Sequence, residues 1–85
     1  MLTIKYFSTT TCGPCKMFGP LFDQIMSETK IQHQKIDAQI ESNMSAQYSI
    51  TSVPTLIFEK DNSIVHRHTG IMSRVQLMGI INKFK

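Results

Sequence analysis

The stretch Ser-Thr-Thr-Thr-Cys-Gly-Pro-Cys-Lys-Met-Phe-Gly-Pro, residues 8–20, holds both cysteines of the chain, Cys12 and Cys15. It follows residues 2–7, a short run rich in β-branched and aromatic side chains, which predicts a strand. After the cysteines, apolar residues recur at helical spacing, and Pro14 suits a first helical turn because its missing N–H would have no partner there. The stretch therefore predicts a strand, a loop and a helix with Cys12 at the helix N-terminus.

The rest of the chain carries patterns for three more strands and two more helices. Residues 53–58 and 64–69 flank a polar turn and predict a β-hairpin. Ser73 and Gln76 form a capping box ahead of an apolar pattern with helical spacing. The predicted elements after the first helix are a strand at residues 31–37, a short helix at residues 41–48, the two hairpin strands and a closing helix that carries Leu77, Ile80, Ile81 and Phe84.

These elements occur in the order β-α-β-α-β-β-α and predict an α/β fold. Two parallel strands joined by a crossover helix, followed by a hairpin, make a four-stranded mixed sheet, and three helices cover its two faces. We expect residues 1–85 to form one domain. Pro20 removes one hydrogen bond from the first helix, but the apolar spacing continues beyond it, so we expect a bend there and not an end.

The composition is that of an ordinary globular protein, with 41% hydrophobic and 18% charged residues in a chain of 85. The net charge of +3 comes from scattered Lys and Arg without interleaved aromatic residues, so no nucleic-acid partner is expected. No apolar stretch approaches the roughly 20 residues of a spanning helix, and no leader pattern is present. We expect a cytoplasmic protein without a membrane partner, and a monomer because no long apolar stripe is present.

The two cysteines are too close in sequence to join distant parts of a fold, so they indicate redox or metal chemistry. Attack on a disulfide needs a thiolate. A helix N-terminus and the nearby Lys16 would favour the charged form of Cys12, which we predict to be the nucleophile. Cys15, one turn further, is predicted to be more buried and to resolve the mixed disulfide. Gly13 allows a partner backbone to approach, and Pro14 stiffens the turn, which favours the dithiol and a reducing role.

A cysteine pair with this spacing is also half of many zinc and iron–sulfur sites. Such a site needs further ligands, and the three histidines, His33, His66 and His68, do not stand at paired ligand spacing with the cysteines. We therefore expect no metal, and no cofactor beyond the reversible Cys12–Cys15 disulfide. His66 and His68 are interpreted as solvated or partner-facing residues.

Three segments resemble the thioredoxin family. Residues 12–17 (CGPCKM), with Pro20 after them, resemble its active-site segment. Residues 48–55 (YSITSVPT) resemble the stretch that carries its cis-proline loop, and Thr69-Gly70 is similar to the glycine turn beside that loop. In length the chain resembles the compact thioredoxins of some archaea and phages, and it is near glutaredoxin size.

The resemblance implies a thioredoxin fold and a thiol–disulfide oxidoreductase that reduces disulfide-containing protein substrates. A thioredoxin-reductase-type protein would be the electron donor. Pro54 would be cis and pack against the cysteine pair, and the Val53 backbone would pair with an extended substrate strand. The alternative for Pro54 is a plain strand-start proline. The implied groove is lined by Thr11, Gly13, Pro14, Ser52, Val53, Pro54, Thr69 and Gly70.

The chain departs from the family pattern in three places. It begins at the strand before the cysteine motif, so we expect the fold without the family's additional amino-terminal strand and helix. Thr11 stands where a tryptophan commonly precedes the first cysteine. Tyr6 stands where the family has a buried aspartate that helps to deprotonate the resolving cysteine. Tyr6 or His33 could hold a water or take that proton, and the alternative for His33 is a plain exposed residue.

Two other functions remain open from the sequence. The short length, Thr11 and Val53-Pro54 are compatible with a glutaredoxin-like carrier that depends on glutathione. Against this interpretation, residues 69–74 lack the Gly-Gly and acidic pattern with which glutaredoxins hold glutathione. A non-catalytic binding subunit of a larger enzyme could use the same exposed rim without redox turnover.

Overall fold

A computed structural model describes residues 1–85 as four strands and three helices. The elements are β1 (Leu2–Ser8), α1 (Gly13–Thr29), β2 (Gln32–Asp37), α2 (Ser42–Gln47), β3 (Thr55–Lys60), β4 (Ser63–Thr69) and α3 (Arg74–Phe84). All predicted elements are present in the predicted order. The prediction of a four-stranded mixed sheet with three helices is confirmed.

The sheet has the strand order β2-β1-β3-β4. Strand β1 is parallel to β2 and antiparallel to β3, and β3 is antiparallel to β4. At one end of the sheet Phe7 is opposite Thr55, and Thr55 is opposite Thr69. The ends of β1, β2 and β4 and the start of β3 therefore meet at one edge, which we call the loop edge. Both cysteines follow β1 at this edge.

Helices cover both faces of the sheet, as the strand order requires. On one face, side chains of α1 and α3 such as Phe22 and Leu77 pack with Ile4 and Tyr6 of β1. On the other face, Phe7, Ile36 and Ile57 form a smaller cluster. Residues 55–59 of the central strand β3 are all buried. Burying one large apolar side chain contributes roughly 1.5–3 kcal/mol, so burial of these strand residues stabilises the scaffold.

Helix α1 passes through Pro20 without a break, as predicted from the apolar spacing. A proline ring normally clashes with the Cβ of the preceding residue when that residue is helical. The preceding residue here is Gly19, which has no Cβ. The Gly-Pro pair therefore lets the helix continue beyond its first turn. The helix ends at Thr29, and its C-cap residue Lys30 has a positive φ of 59°.

Strand β3 begins two residues later than the sequence predicts, at Thr55 instead of residue 53. Pro54 has no N–H to donate to the ladder, but its carbonyl oxygen accepts a hydrogen bond of 2.7 Å from the Gly70 amide. The predicted hairpin turn is confirmed, with φ of 54° at Asp61 and 67° at Asn62. The predicted capping box of α3 is present with both of its hydrogen bonds.

Candidate active site

Cys12 and Cys15 are joined by a disulfide, and their Cα atoms lie 5.2 Å apart. Cys12 is the N-cap residue of α1, and Cys15 lies in the first turn. The two residues are 9% and 6% exposed. Their positions follow from the local sequence, since Pro14 needs no hydrogen-bond partner at the start of the helix. The disulfide thus closes across the first turn of α1.

The surroundings of Cys12 favour negative charge on its sulfur. The backbone N–H of Cys15 donates to Cys12 Sγ at 3.1 Å. The first N–H groups of a helix have no partner within the helix, and the helix dipole places partial positive charge at the same end. Lys16 is exposed beside the pair and gives its backbone N–H to the Cys12 carbonyl at 3.3 Å. A thiolate at Cys12 would therefore be stabilised by the backbone.

A second part of the loop edge is built by the segment before β3 and the end of β4. The Val53–Pro54 peptide bond is cis. The Thr55 hydroxyl donates to the Ser52 carbonyl at 2.7 Å, and it lies 3.5 Å from the Thr69 hydroxyl. The hydrogen bond from the Gly70 amide to the Pro54 carbonyl also joins the end of β4 to the segment before β3. These contacts bring together the predicted groove segments at residues 52–54 and 69–70.

The predicted site residues differ in their exposure. Pro54 is buried, as are both cysteines, while Val53 and Gly70 are partly exposed. The remaining residues of the predicted groove and its rim are exposed, and they are Thr11, Gly13, Pro14, Lys16, Ser52 and Thr69. Gly70 has a positive φ of 98°, a conformation that side-chain-bearing residues rarely adopt, so glycine suits this turn.

Tyr6 lies directly beneath the cysteine motif and is 1% exposed. Its hydroxyl donates to the carbonyl oxygen of Cys15 at 3.3 Å, and its ring packs against Phe18 and Phe22 at centroid distances of 5.7 and 4.7 Å. Burial, and secondarily the charge of Asp23, raises the pKa of Tyr6. The phenol is therefore neutral near pH 7, and its proton is directed at the backbone.

His33 occupies a different position from Tyr6. It is exposed, its Nδ1 lies 3.0 Å from the Ile31 carbonyl, and its ring packs edge-on against Phe22 at 5.6 Å. No hydrogen bond connects it to Tyr6 or to either cysteine, and its partner in β1 is Ile4. The structure thus brings Tyr6 to the cysteine pair by a direct contact with Cys15. His33 instead contacts Phe22, further along helix α1.

Two charged residues near Tyr6 were not found by sequence reasoning. Lys35 is the β2 partner of Tyr6, and its ammonium lies 5.9 Å from the Tyr6 ring centroid. The same ammonium is paired with Asp23 of α1 at 3.0 Å. The strand register that places Lys35 there depends on tertiary packing and leaves no signal in the local sequence.

The other histidines lie away from the cysteines. His66, interpreted from the sequence as solvated or partner-facing, is partly exposed, and its ring packs between Phe58 and Phe84 at centroid distances of 5.5 and 6.1 Å. His68 Nε2 lies 3.2 Å from the Ile71 carbonyl. No three His, Cys, Asp or Glu side chains are arranged to hold a metal ion. None of the helices combines the length and apolar character that crossing a membrane requires.

One surface pocket lies away from the cysteines, at the other end of the sheet. It has a volume of about 630 Å³ and is lined in part by Ile4, Met26 and Ile31. A smaller cavity of about 190 Å³ lies at the loop edge, between Thr9 of the cysteine loop and residues 50–53. Of these two pockets, the smaller one includes a residue of the cysteine loop, Thr9.

Comparison with known proteins shows the family to which the chain belongs. The thioredoxin family model matches residues 2–83. A thioredoxin-like protein of Synechocystis is 38% identical over 80 residues, which cover 92% of this chain and 76% of that protein. The thioredoxin of Bacillus subtilis is 32% identical over 74 residues, which cover 85% of this chain and 71% of that protein.

Solved structures agree with the sequence matches. The thioredoxin of Fasciola hepatica superposes with a TM-score of 0.91 at 29% identity, covering 99% of this chain and 81% of that one. The reduced thioredoxin of Schistosoma mansoni superposes with a TM-score of 0.91 at 30% identity, covering 99% and 79%. With its Cys12–Cys15 disulfide at the start of α1, the protein is a thiol–disulfide oxidoreductase, and the chain belongs to the thioredoxin family.

Proposed function

We propose that the chain is a protein-disulfide reductase and electron carrier that cycles between a Cys12/Cys15 dithiol and a disulfide. The observation that carries the proposal is the position of Cys12, whose sulfur accepts the Cys15 N–H at the N-terminus of α1. The helix N-terminus stabilises a thiolate at this position, and the thiolate is the form of cysteine that thiol–disulfide exchange requires. No cofactor enters the cycle.

The proposed cycle has two exchange steps. The Cys12 thiolate attacks one sulfur of a substrate disulfide, which forms a mixed disulfide and releases the other substrate sulfur as a thiolate. The Cys15 thiolate then attacks Cys12 Sγ, which forms the Cys12–Cys15 disulfide and releases the second substrate thiolate. Two electrons pass to the substrate, whose thiolates take up two protons. A thioredoxin-reductase-type donor then returns two electrons to the Cys12–Cys15 disulfide.

The assignment of the nucleophile is supported by the path that a substrate would take. Thr11 and Gly13, on either side of Cys12, are both exposed, so a partner can approach this sulfur from the loop edge. Cys15 lies against the Tyr6 hydroxyl, in the more buried position. Cys12 is therefore assigned as the nucleophile and Cys15 as the resolving cysteine.

The proposed substrate groove follows the loop edge and consists of the residues predicted from the sequence. The Val53 backbone lies outside the sheet ladder, just before the cis bond to Pro54, so its polar groups can pair with an extended substrate segment. Two large apolar side chains close in sequence to groove residues are exposed, with Met17 at 76% and Ile71 at 54%. A disulfide within an extended, partly apolar protein segment is the substrate that this surface fits.

The remaining parts of the proposal concern the partners of the chain. Disulfide-containing proteins are the proposed substrates, and the carrier is proposed to act as a cytoplasmic monomer. The thioredoxins among the relatives, such as that of Bacillus subtilis, support a reductase partner over glutathione as the electron donor. The absence of a Gly-Gly and acidic pattern at residues 69–74 supports the same choice.

Reduction of an insulin disulfide tests the proposal directly. Turnover of the purified protein is measured with three electron sources, which are dithiothreitol, a thioredoxin reductase with NADPH, and glutathione. Cys12→Ser is the control. We expect turnover that depends on Cys12 and accepts electrons from the reductase. Turnover with glutathione alone would instead support a glutaredoxin-like carrier. A folded protein without turnover from any source would support a binding subunit.

A further inference from the structure

The segment that precedes Pro54 has few hydrogen bonds of its own. Residues 49–54, which we call the substrate loop, connect the short helix α2 to β3. Ser49 has a positive φ of 55°, and the Ile50 amide donates to the Ser45 carbonyl at 2.8 Å. Beyond Ile50 the loop has no ladder partner until Pro54. A loop of this kind needs support from elsewhere to hold one conformation.

Tyr48, immediately before the substrate loop, is attached to the sheet at two points. Its hydroxyl donates to Glu59 Oε2 of β3 at 3.1 Å. Its carbonyl oxygen accepts a hydrogen bond from the Arg67 guanidinium of β4, and the same guanidinium donates to the Ser49 carbonyl at 3.4 Å. One arginine therefore spans the last residue before the loop and the first residue within it.

The attachment points are themselves well fixed. Glu59 is 9% exposed and lies on the central strand, where its other carboxylate oxygen is paired with Lys5 of β1. The Lys5 ammonium also lies 5.5 Å from the Tyr48 ring centroid. A buried carboxylate is retained only when its oxygens have partners, and Tyr48 and Lys5 supply them. Arg67 stands opposite Ile57 in the β3–β4 ladder.

We propose that Arg67 is a positioning residue that holds the substrate loop in the conformation that receives the substrate strand. Its planar fork donates to two successive carbonyl oxygens at the C-terminal end of α2, where a positive charge is also favourable. Arg67 touches neither cysteine through any hydrogen bond and takes no part in the exchange steps. The proposal rests on the proposed function, because it assumes that the loop binds extended protein substrates.

Two substrates of different size separate positioning of the loop from cysteine chemistry. Insulin needs the substrate loop, whereas a small aromatic disulfide, dithiobis-nitrobenzoate, needs only access to Cys12. For Arg67→Gln we expect the KM for insulin to rise about five-fold, the size that a net hydrogen-bond contribution of about 1 kcal/mol gives. The rate with the small disulfide should not change. Arg67→Lys keeps the positive charge but loses the planar guanidinium. Its KM for insulin should lie between that of the unsubstituted protein and that of Arg67→Gln.

Hydrogen exchange of the backbone amides gives an independent readout. In Arg67→Gln the amide of Ile50 should exchange faster, while amides of β1 and β3 keep their protection. Lys60→Gln is the matched control, because it also removes one positive charge but lies at the far end of the hairpin. It should leave both substrates and the exchange of Ile50 unchanged.

Several results would overturn the proposal. An unchanged KM for insulin in Arg67→Gln would do so. An equal loss of activity with both substrates, together with lower stability of the variant, would also do so, since that pattern indicates a merely structural arginine. Failure of the unsubstituted protein to reduce either substrate would contradict the oxidoreductase cycle itself, and the positioning role with it. A selective loss with insulin, together with faster exchange of Ile50, would support it.

Discussion

The Tyr6 hydroxyl donates a hydrogen bond to the carbonyl oxygen of Cys15 at 3.3 Å, so the residue beneath the cysteine pair contacts the backbone of the proposed resolving cysteine. A general base must be able to accept a proton near the operating pH. Burial raises the pKa of Tyr6 above that of an ordinary tyrosine, with a further contribution from Asp23. A neutral phenol can hold the first turn of α1 in place, but it is a poor acceptor for the Cys15 proton.

The first prediction is that Tyr6→Phe keeps its reductase turnover. We expect the pH profile of insulin reduction to be unchanged from about pH 6 to about pH 8, because Tyr6 stays neutral throughout this range. The free energy of unfolding, measured with urea, should fall by about 1 kcal/mol because a buried hydrogen bond is lost. A profile displaced along the pH axis would instead support the proton relay, and His33→Ala measured in parallel would show whether that imidazole takes part.

The second prediction concerns the two cysteines separately. Cys15→Ser should still attack a substrate disulfide through Cys12 but cannot resolve the product, so a mixed disulfide with insulin should accumulate. Mass spectrometry of the intact protein under non-reducing conditions would detect it. Cys12→Ser should form no such adduct, since Cys15 is the more buried of the two residues, 6% exposed against 9% for Cys12. Adducts of equal yield in both variants would contradict the assignment of Cys12 as the nucleophile.

The elements and the cysteine pair could be predicted because their signals are local. The CGPC motif, the capping box of Ser73 and Gln76 and the hairpin turn each depend on residues within one short segment. The supporting contacts could not be predicted in the same way. The Lys35 position beside Tyr6 depends on the β1–β2 register, and the Arg67 contact with Tyr48 joins residues 19 positions apart. Such contacts depend on packing that brings distant segments together.

The third prediction concerns the ion pair of Lys5 and Glu59. Burial opposes the charge of Lys5, but the hydrogen bond and charge of Glu59 outweigh it and raise the pKa of Lys5. A raised lysine pKa stabilises the fold fully below the ordinary value of about 10.4, and this stabilisation is lost as the pH rises through the folded pKa. The contribution of this pair to the free energy of unfolding should therefore stay constant between neutral pH and about pH 10.

Removing Lys5 should reveal what the pair contributes. Lys5→Met leaves the carboxylate of Glu59 with Tyr48 as its remaining partner, so we expect the free energy of unfolding to fall by about 1–3 kcal/mol at neutral pH. The double variant Lys5→Met, Glu59→Gln should recover part of this loss, because no charge then remains buried. Urea denaturation of the single and double variants at one pH measures the difference. A single variant as stable as the parent would mean that solvent already screens the pair.

The fourth prediction compares two helical glycines, of which only one precedes a proline. An added Cβ at Gly79 of α3 would meet nothing within 4 Å, so Gly79→Ala should raise the free energy of unfolding by about 1 kcal/mol, the helix-propensity difference. Gly19 of α1 also has room, since its Cβ would lie 4.0 Å from the Tyr6 hydroxyl. However, Gly19 precedes Pro20, whose ring crowds the Cβ of a helical neighbour. Gly19→Ala should therefore give no gain, or a loss. An equal gain in both variants, measured by urea denaturation, would show that Gly19 is not the residue that lets α1 pass through Pro20.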